Sequence, residues 1–256
     1  MMSKIPFLLI IVLLSNISCA VSVSQQGIQN PPSDFFVKVY KHLIITRCSK
    51  SKVIEPGKKK CETAKFNSSG SGLMVILPSN KRIVLSSGHV CQSGDIVEED
   101  KFFKYKWTET VTLLDRNQKF HDAHIIKVTQ ATDKSSDLCS LFVPSLNYLD
   151  KKSKIKISKK APKIGEDIYY IGAPLGIYHP PTALIIKGNF SGNINNYTSL
   201  TSIPAAPGAS GSVVMSLDNR VFGVLFAVHP NFPNASIITS FEETKKFLIE
   251  TDKLLD

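Results

Sequence analysis

Three short segments of the chain carry side chains that together can perform nucleophilic catalysis. His89 follows an apolar run and small residues, Asp137 opens another apolar run, and Ser210 lies between glycines. A serine hydroxyl is a poor nucleophile at neutral pH, but it becomes reactive when an imidazole takes its proton and a buried carboxylate fixes the imidazole's tautomer. Gly208, two residues before the serine, allows backbone N–H groups to converge on a developing oxyanion. The segments therefore predict acyl-transfer chemistry at a serine.

The order and spacing of these residues are more informative than each segment alone. Along the chain the order is histidine, aspartate, serine, with intervals of 48 and 73 residues. This is the chymotrypsin order, whereas an α/β-hydrolase places its histidine after the serine and has a Gly-x-Ser-x-Gly elbow. In this chain Ser212 occupies the last position of that motif, where the elbow has glycine. Asp133 is the second candidate for the carboxylate, but it lacks the apolar run that begins directly after Asp137.

Short apolar runs separated by polar turns must position these residues. The runs are rich in β-branched residues, four to seven residues long and partly alternating, which predicts strands. One series occupies about residues 35–149 and a second about 155–240, while residues 240–255 show helical spacing of apolar side chains. Two groups of about six short strands and a terminal helix indicate an all-β chain, arranged as two small barrels or a sandwich.

With these segments the chain resembles the trypsin-like (chymotrypsin-fold) serine proteases, in particular their HtrA/Deg-type branch. The resemblance covers about residues 66–255 and also includes Gly70-Ser71-Gly72-Leu73, Lys163-Ile164-Gly165-Glu166-Asp167, Ile171-Gly172-Ala173-Pro174-Leu175-Gly176 and Gly223-Val224. It implies two six-stranded antiparallel β-barrels with the site in the cleft between them. It further implies that His89 is the general base, Asp137 its orienting carboxylate and Ser210 the nucleophile. The N–H groups of Gly208 and Ser210 would form the oxyanion hole.

The chain departs from the family pattern at two positions next to the serine. Ala209 stands where an acidic or amide residue is usual, and Ser212 replaces the second following glycine. Both residues are small, so the expected geometry of the nucleophile is retained. We expect no peptide-binding (PDZ) module in the 46 residues after Ser210.

The resemblance also implies a substrate pocket beside the serine. Its walls would be formed by Pro204, Ala205, Phe226, Ala227 and Val228. No acid stands at the base of the pocket, which argues against a preference for Lys or Arg, and Val228 replaces the glycine of an open pocket. We therefore expect a small or medium apolar residue before the cut. In an alternative interpretation His229 faces the pocket and favours an acidic or amide side chain.

The first twenty residues have the pattern of a signal peptide. Lys4 precedes an apolar run at 5–14, and small residues end with Ala20. The run is too short for a comfortable transmembrane anchor, so we expect none after cleavage. In an alternative interpretation Cys19 carries the lipid of a bacterial lipoprotein. The domain prediction is a signal peptide at 1–20 and one protease domain at 21–256, secreted or periplasmic.

Export changes the expected state of the cysteines. Beyond the signal peptide the chain has Cys48, Cys61, Cys91 and Cys139. An even number in an oxidising compartment favours two disulfides, and four cysteines allow three pairings. Cys48–Cys61 would close a short lysine-rich loop. Cys91 and Cys139 each lie two residues after a predicted catalytic residue, so we predict a bond between them that holds both within one scaffold.

Composition excludes several other classes of protein. With 43% hydrophobic and 20% charged residues in 256, the chain is neither disordered nor a polytopic membrane protein. The net charge of +10 permits a nucleic-acid partner. However, the lysine-rich stretch at 151–163 has no interleaved aromatic residues, so solvated surface is the preferred interpretation and no nucleic-acid partner is expected.

The histidine pair His121 and His124 suggests a metal site, but no third ligand is evident, and we interpret the pair as part of a solvated loop. No metal and no cofactor are expected. The sequence predicts an exported serine endopeptidase that hydrolyses polypeptides through an acyl-enzyme. The alternative is a catalytically silent binding protein of the same fold at the cell surface.

Overall fold

A computed structural model describes residues 27–28, 30–51, 60–92, 99–132, 134–146 and 155–255. The predicted signal peptide with Cys19, the alternative carboxylate Asp133 and residues 151–154 of the lysine-rich stretch lie outside these ranges. Of the described residues, most belong to strands, and the two α-helices are α1 (Gly88–Cys91) and α2 (Phe241–Leu254). Neither has the length and apolar run that a membrane span would need.

The first half of the chain forms a closed six-stranded barrel in the order β1-β2-β3-β6-β5-β4. Its strands are β1 (Phe36–Ser49), β2 (Cys61–Ile76), β3 (Arg82–Ser86), β4 (Phe103–Leu114), β5 (Phe120–Thr129) and β6 (Leu138–Phe142). All of these pairings are antiparallel. The apolar runs predicted as strands supply the interior, where Val39, Leu73, Leu85 and Leu113 are fully buried.

The second half of the chain forms a second antiparallel barrel. Its strands and two short accessory strands are β7 (Lys156–Ile157), β8 (Asp167–Gly172), β9 (Tyr178–His179), β10 (Thr182–Asn193), β11 (Thr198–Thr201), β12 (Val213–Ser216), β13 (Arg220–His229) and β14 (Phe232–Thr239). The order β11-β14-β13-β12-β8-β10 closes on itself because β10 also pairs with β11. Strand β9 extends β10, and β7 pairs in parallel with β13. The prediction of two six-stranded barrels is therefore confirmed.

One hydrophobic core is shared by both barrels, a second lies within the second barrel, and helix α2 covers part of the shared core. Phe36 of the first barrel and Tyr178 of the second stack edge to face, with ring centroids 4.9 Å apart. Helix α2 starts at the N-cap Ser240, whose hydroxyl accepts the N–H of Glu243. Its buried face includes Phe247, which belongs to the shared core. The chain thus returns to the first barrel after completing the second, and Glu250 of the helix pairs with Lys127 of strand β5.

Candidate active site

His89 lies on the one-turn helix α1, directly after strand β3. Glycine is needed before it, since a Cβ on Gly88 would lie 2.0 Å from the carbonyl oxygen of Thr129 and 2.6 Å from Oδ1 of Asp137. This close approach brings the helix against strand β5 and the start of strand β6. Gly88, directly before the histidine, is therefore required for the packing of this segment.

Asp137 contacts His89 at two points. Its Oδ1 accepts the backbone N–H of His89 at 2.9 Å, and its Oδ2 bonds the ring nitrogen Nδ1. The aspartate side chain is 3% exposed, whereas that of the histidine is 47% exposed. A carboxylate at Nδ1 favours the proton on that nitrogen, which leaves Nε2 free to accept a proton. The pair is therefore arranged as a general base and its orienting group.

A disulfide joins the two elements that carry this pair. Cys91 of helix α1 is bonded to Cys139 of strand β6, and a second disulfide joins Cys48 to Cys61. Both are among the pairings that the sequence permits. The first connects positions two residues after His89 and two residues after Asp137, so it ties the helix to the strand beside this pair of residues. Two disulfides are typical of an extracytoplasmic compartment.

Ser210 lies on a tight loop that packs against strand β2. Its carbonyl oxygen accepts the N–H of Ser71 at 2.8 Å. Gly211 has φ +88°, and a Cβ there would lie 2.1 Å from the carbonyl oxygen of Ser71. The Ser210 hydroxyl donates to the carbonyl oxygen of Phe226 at 3.5 Å. The glycine after the serine is thus required for this loop to approach the first barrel.

The loop presents backbone N–H groups next to Ser210. The carbonyl oxygen of Pro207 accepts the N–H of Leu175 at 2.6 Å. Because C=O and N–H point in opposite directions across a trans peptide, the N–H of Gly208 points away from Leu175. Among the residues that the structure describes, the N–H groups of Gly208 and Ser210 donate no hydrogen bond. They are available to a ligand oxygen, as an oxyanion hole requires.

Two residues in this arrangement were not identified as functional from the sequence. The Ser71 hydroxyl donates to the carbonyl oxygen of Gly208 at 2.9 Å and accepts the N–H of Ala173 at 3.0 Å. Leu175 acts through its N–H, and its φ of +54° is unusual for a non-glycine residue. The stretches Gly70–Leu73 and Ile171–Gly176 contributed to the resemblance to the family, but the sequence predicted no role for their residues. A hydrogen bond made by a backbone group places little constraint on the residue type, so it cannot be recognised in the amino-acid sequence.

The two halves of the site meet at Gly70 of strand β2. A Cβ on Gly70 would lie 2.6 Å from a methyl group of Val90 and 2.7 Å from the carbonyl oxygen of Ser210. The neighbour of His89 and the backbone of Ser210 therefore flank the same glycine. The ammonium group of Lys41 in strand β1 donates to the carbonyl oxygen of His89 at 2.8 Å. The structure thus brings His89 and Asp137 into direct contact and places the Ser210 loop against the neighbouring residues Gly70 and Ser71, while the Ser210 hydroxyl itself contacts Phe226 rather than His89.

The predicted pocket residues lie on two neighbouring segments of the second barrel. Ala205 is buried in the core of that barrel, and Val228 is partly buried against it. Phe226 and Ala227 are half-buried on strand β13, while Pro204 is exposed and its carbonyl oxygen accepts the hydroxyl of Tyr170 at 3.0 Å. Burial raises the pKa of the Tyr170 hydroxyl, so it remains a neutral donor that fixes this segment. His229 is exposed at the end of β13.

One interpretation of the sequence was wrong. His121 is not in a solvated loop, because it lies in strand β5 and is 4% exposed. Its Nε2 contacts Asp115 Oδ2 at 3.0 Å and its Nδ1 contacts the Ser145 hydroxyl at 2.7 Å. The strand's alternation turns His121 inward and leaves His124 exposed. Buried and fully bonded, His121 stabilises the β4–β5 hairpin.

Comparisons with known proteins agree with this geometry. The sequence profile of the family described as Trypsin-like peptidase domain matches residues 70–224, a range that contains His89, Asp137 and Ser210. No curated protein sequence matches the chain significantly.

The fold is shared with solved structures, including the following two. The active form of the Rv3671c protease from M. tuberculosis has a TM-score of 0.55 and 17% identity, over 84% of this chain and 79% of that chain. The serine endoprotease from Yersinia pestis has a TM-score of 0.53 and 16% identity, over 81% of this chain and 62% of that chain.

Proposed function

Because the chain belongs to the trypsin-like peptidase family, we propose that it is an exported serine endopeptidase that uses His89, Asp137 and Ser210. The observation that carries the proposal is the bond between the buried carboxylate of Asp137 and Nδ1 of the half-exposed His89, beside the tight loop of Ser210. A buried aspartate behind a solvent-facing imidazole is the arrangement that activates a serine.

In the proposed reaction, a substrate carbonyl lies between the Ser210 hydroxyl and the N–H groups of Gly208 and Ser210. Rotation of the serine away from the Phe226 carbonyl directs its hydroxyl toward Nε2 of His89, which takes the proton as the C–O bond forms. The two N–H groups stabilise the oxyanion, and each such donor is worth about 3 kcal/mol. His89 then protonates the leaving amine, and the C–N bond breaks to give the acyl-enzyme and the first product.

Water completes the proposed cycle. It loses a proton to His89 as it attacks the acyl carbon, and the proton returns to the Ser210 oxygen when the ester bond breaks. Asp137 remains ionised throughout and stabilises the imidazolium. No residue outside the catalytic set needs to change its protonation state.

The proposed specificity rests on the half-buried positions Phe226, Ala227 and Val228 of strand β13. Val228 packs against the core of the second barrel. Its branched side chain narrows the space beside Ser210, which favours a small or medium apolar residue before the cleaved bond. The two disulfides support export, because such bonds persist in oxidising compartments.

The test is covalent labelling with a fluorophosphonate probe, which reacts only with an activated serine. The wild-type chain lacking residues 1–20 is expected to be labelled at Ser210, whereas Ser210→Ala and His89→Ala are not. Ser191→Ala and His179→Ala are matched controls, because both residues are exposed on strands of the second barrel. Absence of labelling in a folded, oxidised wild-type sample would refute the proposal and favour a catalytically silent binding protein.

A further inference from the structure

Three strands of the first barrel continue well beyond its closed part. β1 pairs with β2 as far as Cys48 and Cys61, and with β4 as far as Phe103. Strand β3 joins β2 only from Leu73, and β5 joins β4 only from Val111. The result is a projecting three-stranded sheet with β1 in the centre, here called the arm (residues 43–49, 61–68 and 103–109).

The outer edge of β2 in the arm has no strand beside it among the residues that the structure describes. Residues 61–68 are all exposed. The Cys48–Cys61 disulfide holds the far end of β2 against β1. The edge is therefore held in an extended conformation while its backbone groups face solvent, which is the condition for adding another strand.

The hydrogen-bonding direction of each residue in β2 follows from two bonds. The N–H of Ser49 donates to the carbonyl oxygen of Lys60 at 2.9 Å, so odd residues of β1 bond even residues of β2. The N–H of Ser71 points the other way, to the carbonyl oxygen of Ser210. Since the direction alternates along a strand, the outward N–H and C=O groups of β2 belong to Cys61, Thr63, Lys65 and Asn67 in the arm and to Ser69 just beyond it.

This edge is continuous with the candidate active site. Ser71 bonds the nucleophile's own carbonyl, and Gly70 is flanked by Val90 and Ser210. From there β2 runs outward on the side of His89, whose carbonyl oxygen is held by Lys41 of β1. His89 protonates the leaving amine in the proposed reaction, so the substrate segment after the cleaved bond leaves on this side. The pocket for the residue before the bond lies on the second barrel.

We propose that the outer edge of β2 binds the substrate segment after the cleaved bond as an added β-strand. This inference rests on the proposed function and names the substrate class as unfolded polypeptides that extend well beyond the cut. At about 3.3 Å per residue, the edge from residue 61 to residue 69 spans about 26 Å and holds about eight residues. Main-chain bonds supply the affinity, so binding depends on length more than on sequence.

The proposal commits to a substrate strand rather than a second copy of the chain. Lys65 lies in the middle of the edge and is exposed. An edge lysine opposes pairing of two identical edges, because the same charge would meet itself across the contact. A transient substrate strand without a lysine at that point meets no such repulsion.

The test uses peptides that are identical up to the cut and carry two, five or nine residues after it. For the wild-type enzyme, kcat/KM is expected to rise by at least about tenfold from the shortest to the longest peptide, as a few net hydrogen bonds would give. Methylation of backbone nitrogen in the long peptide is expected to abolish the gain at alternate positions only. A flat length dependence, or methylation effects without this alternation, would overturn the proposal.

A matched pair of variants tests the edge itself. Lys65→Pro removes an outward N–H and leaves the β1–β2 bonds intact, so it is expected to lose most of the gain with length. Lys65→Ala removes the same side chain but keeps the N–H, and it is expected to retain the length dependence. Equal length dependence in both variants would contradict the proposal. Thermal unfolding shows whether Lys65→Pro is folded. If this variant does not fold, the methylated peptides test the same edge in the wild-type enzyme.

Failure of this inference is distinguishable from failure of the proposed function. Fluorophosphonate labelling of wild-type Ser210 uses a small probe that does not reach the arm. A labelled enzyme whose peptide cleavage ignores length would refute only the β2 edge. Sedimentation of the wild type and of Lys65→Pro measures their oligomeric states. If the wild type is a dimer, Lys65→Pro is a monomer and cleavage by the wild type does not depend on peptide length, the edge binds a second copy of the chain and the proposal is refuted.

Discussion

Substitution of Gly208 by alanine tests whether its N–H forms the oxyanion hole. The residue has φ +94°, and a Cβ there would lie 2.6 Å from the carbonyl oxygen of Ala173. Ordinary contact begins at about 3.5 Å, so the loop would have to shift by about 0.9 Å. A donor must lie within about 2.7–3.1 Å of the oxyanion, and a shift of this size removes it from that range. We expect kcat to fall by about 10²–10³, equivalent to about 3–4 kcal/mol.

The matched control is Gly165→Ala. Gly165 has φ +82° and nothing within 4 Å of an added Cβ, so it reports the backbone strain alone, about 1–2 kcal/mol. Steady-state kinetics on one peptide and unfolding in denaturant are measured for both variants. Gly208→Ala is expected to lose kcat while folded, and Gly165→Ala is expected to lose stability only. Wild-type kcat in a folded Gly208→Ala enzyme would refute the assignment of its N–H to the oxyanion hole.

Three further predictions concern the catalytic pair, its disulfide and the pocket. Asp137→Asn is expected to lower kcat by about 10⁴, because an amide can donate to Nδ1 and reverse the tautomer of the imidazole; a loss below tenfold in steady-state kinetics would contradict the role of the carboxylate. Replacing Cys91 and Cys139 by alanine opens a link across 48 residues, and urea unfolding is expected to show a loss of about 4 kcal/mol. An unchanged unfolding midpoint would argue that the bond does not stabilise the first barrel. Val228→Gly is expected to shift peptide-library cleavage toward larger residues before the cut, and an unchanged profile would exclude Val228 from the pocket.

Local patterns in the sequence were sufficient to predict most of the strands. For example, residues 72–77 and 82–85 are short apolar runs separated by Pro78-Ser79-Asn80, and they form the end of β2, strand β3 and the turn between them. Asn80 adopts φ +67°, which asparagine tolerates well. Alternation of apolar residues and turn chemistry act over a few residues, so they are visible without the fold.

The interpretation of His121 failed for a physical reason. Nothing near it in the sequence marks the residue as buried, and its partner Ser145 is 24 residues away. A polar side chain is usually solvated, but here the buried Asp115 and the hydroxyl of the exposed Ser145 satisfy both ring nitrogens of the buried histidine. Whether a buried histidine finds hydrogen-bond partners of this kind depends on which strand ends and loops the fold brings next to it.

The all-β class, the terminal helix and the candidate residues His89, Asp137 and Ser210 could be predicted from the amino-acid sequence, because these predictions depend on residue type and on short-range periodicity. How the segments that carry those residues pack against one another depends on the three-dimensional fold. The N–H of Leu175 orients the peptide of Gly208, and the closing pair of strands β10 and β11 completes the second barrel. The outward edge of β2 likewise follows from pairing direction. These features are made by backbone N–H and C=O groups, which every residue type except proline carries, so the order of amino acids does not show where they will lie.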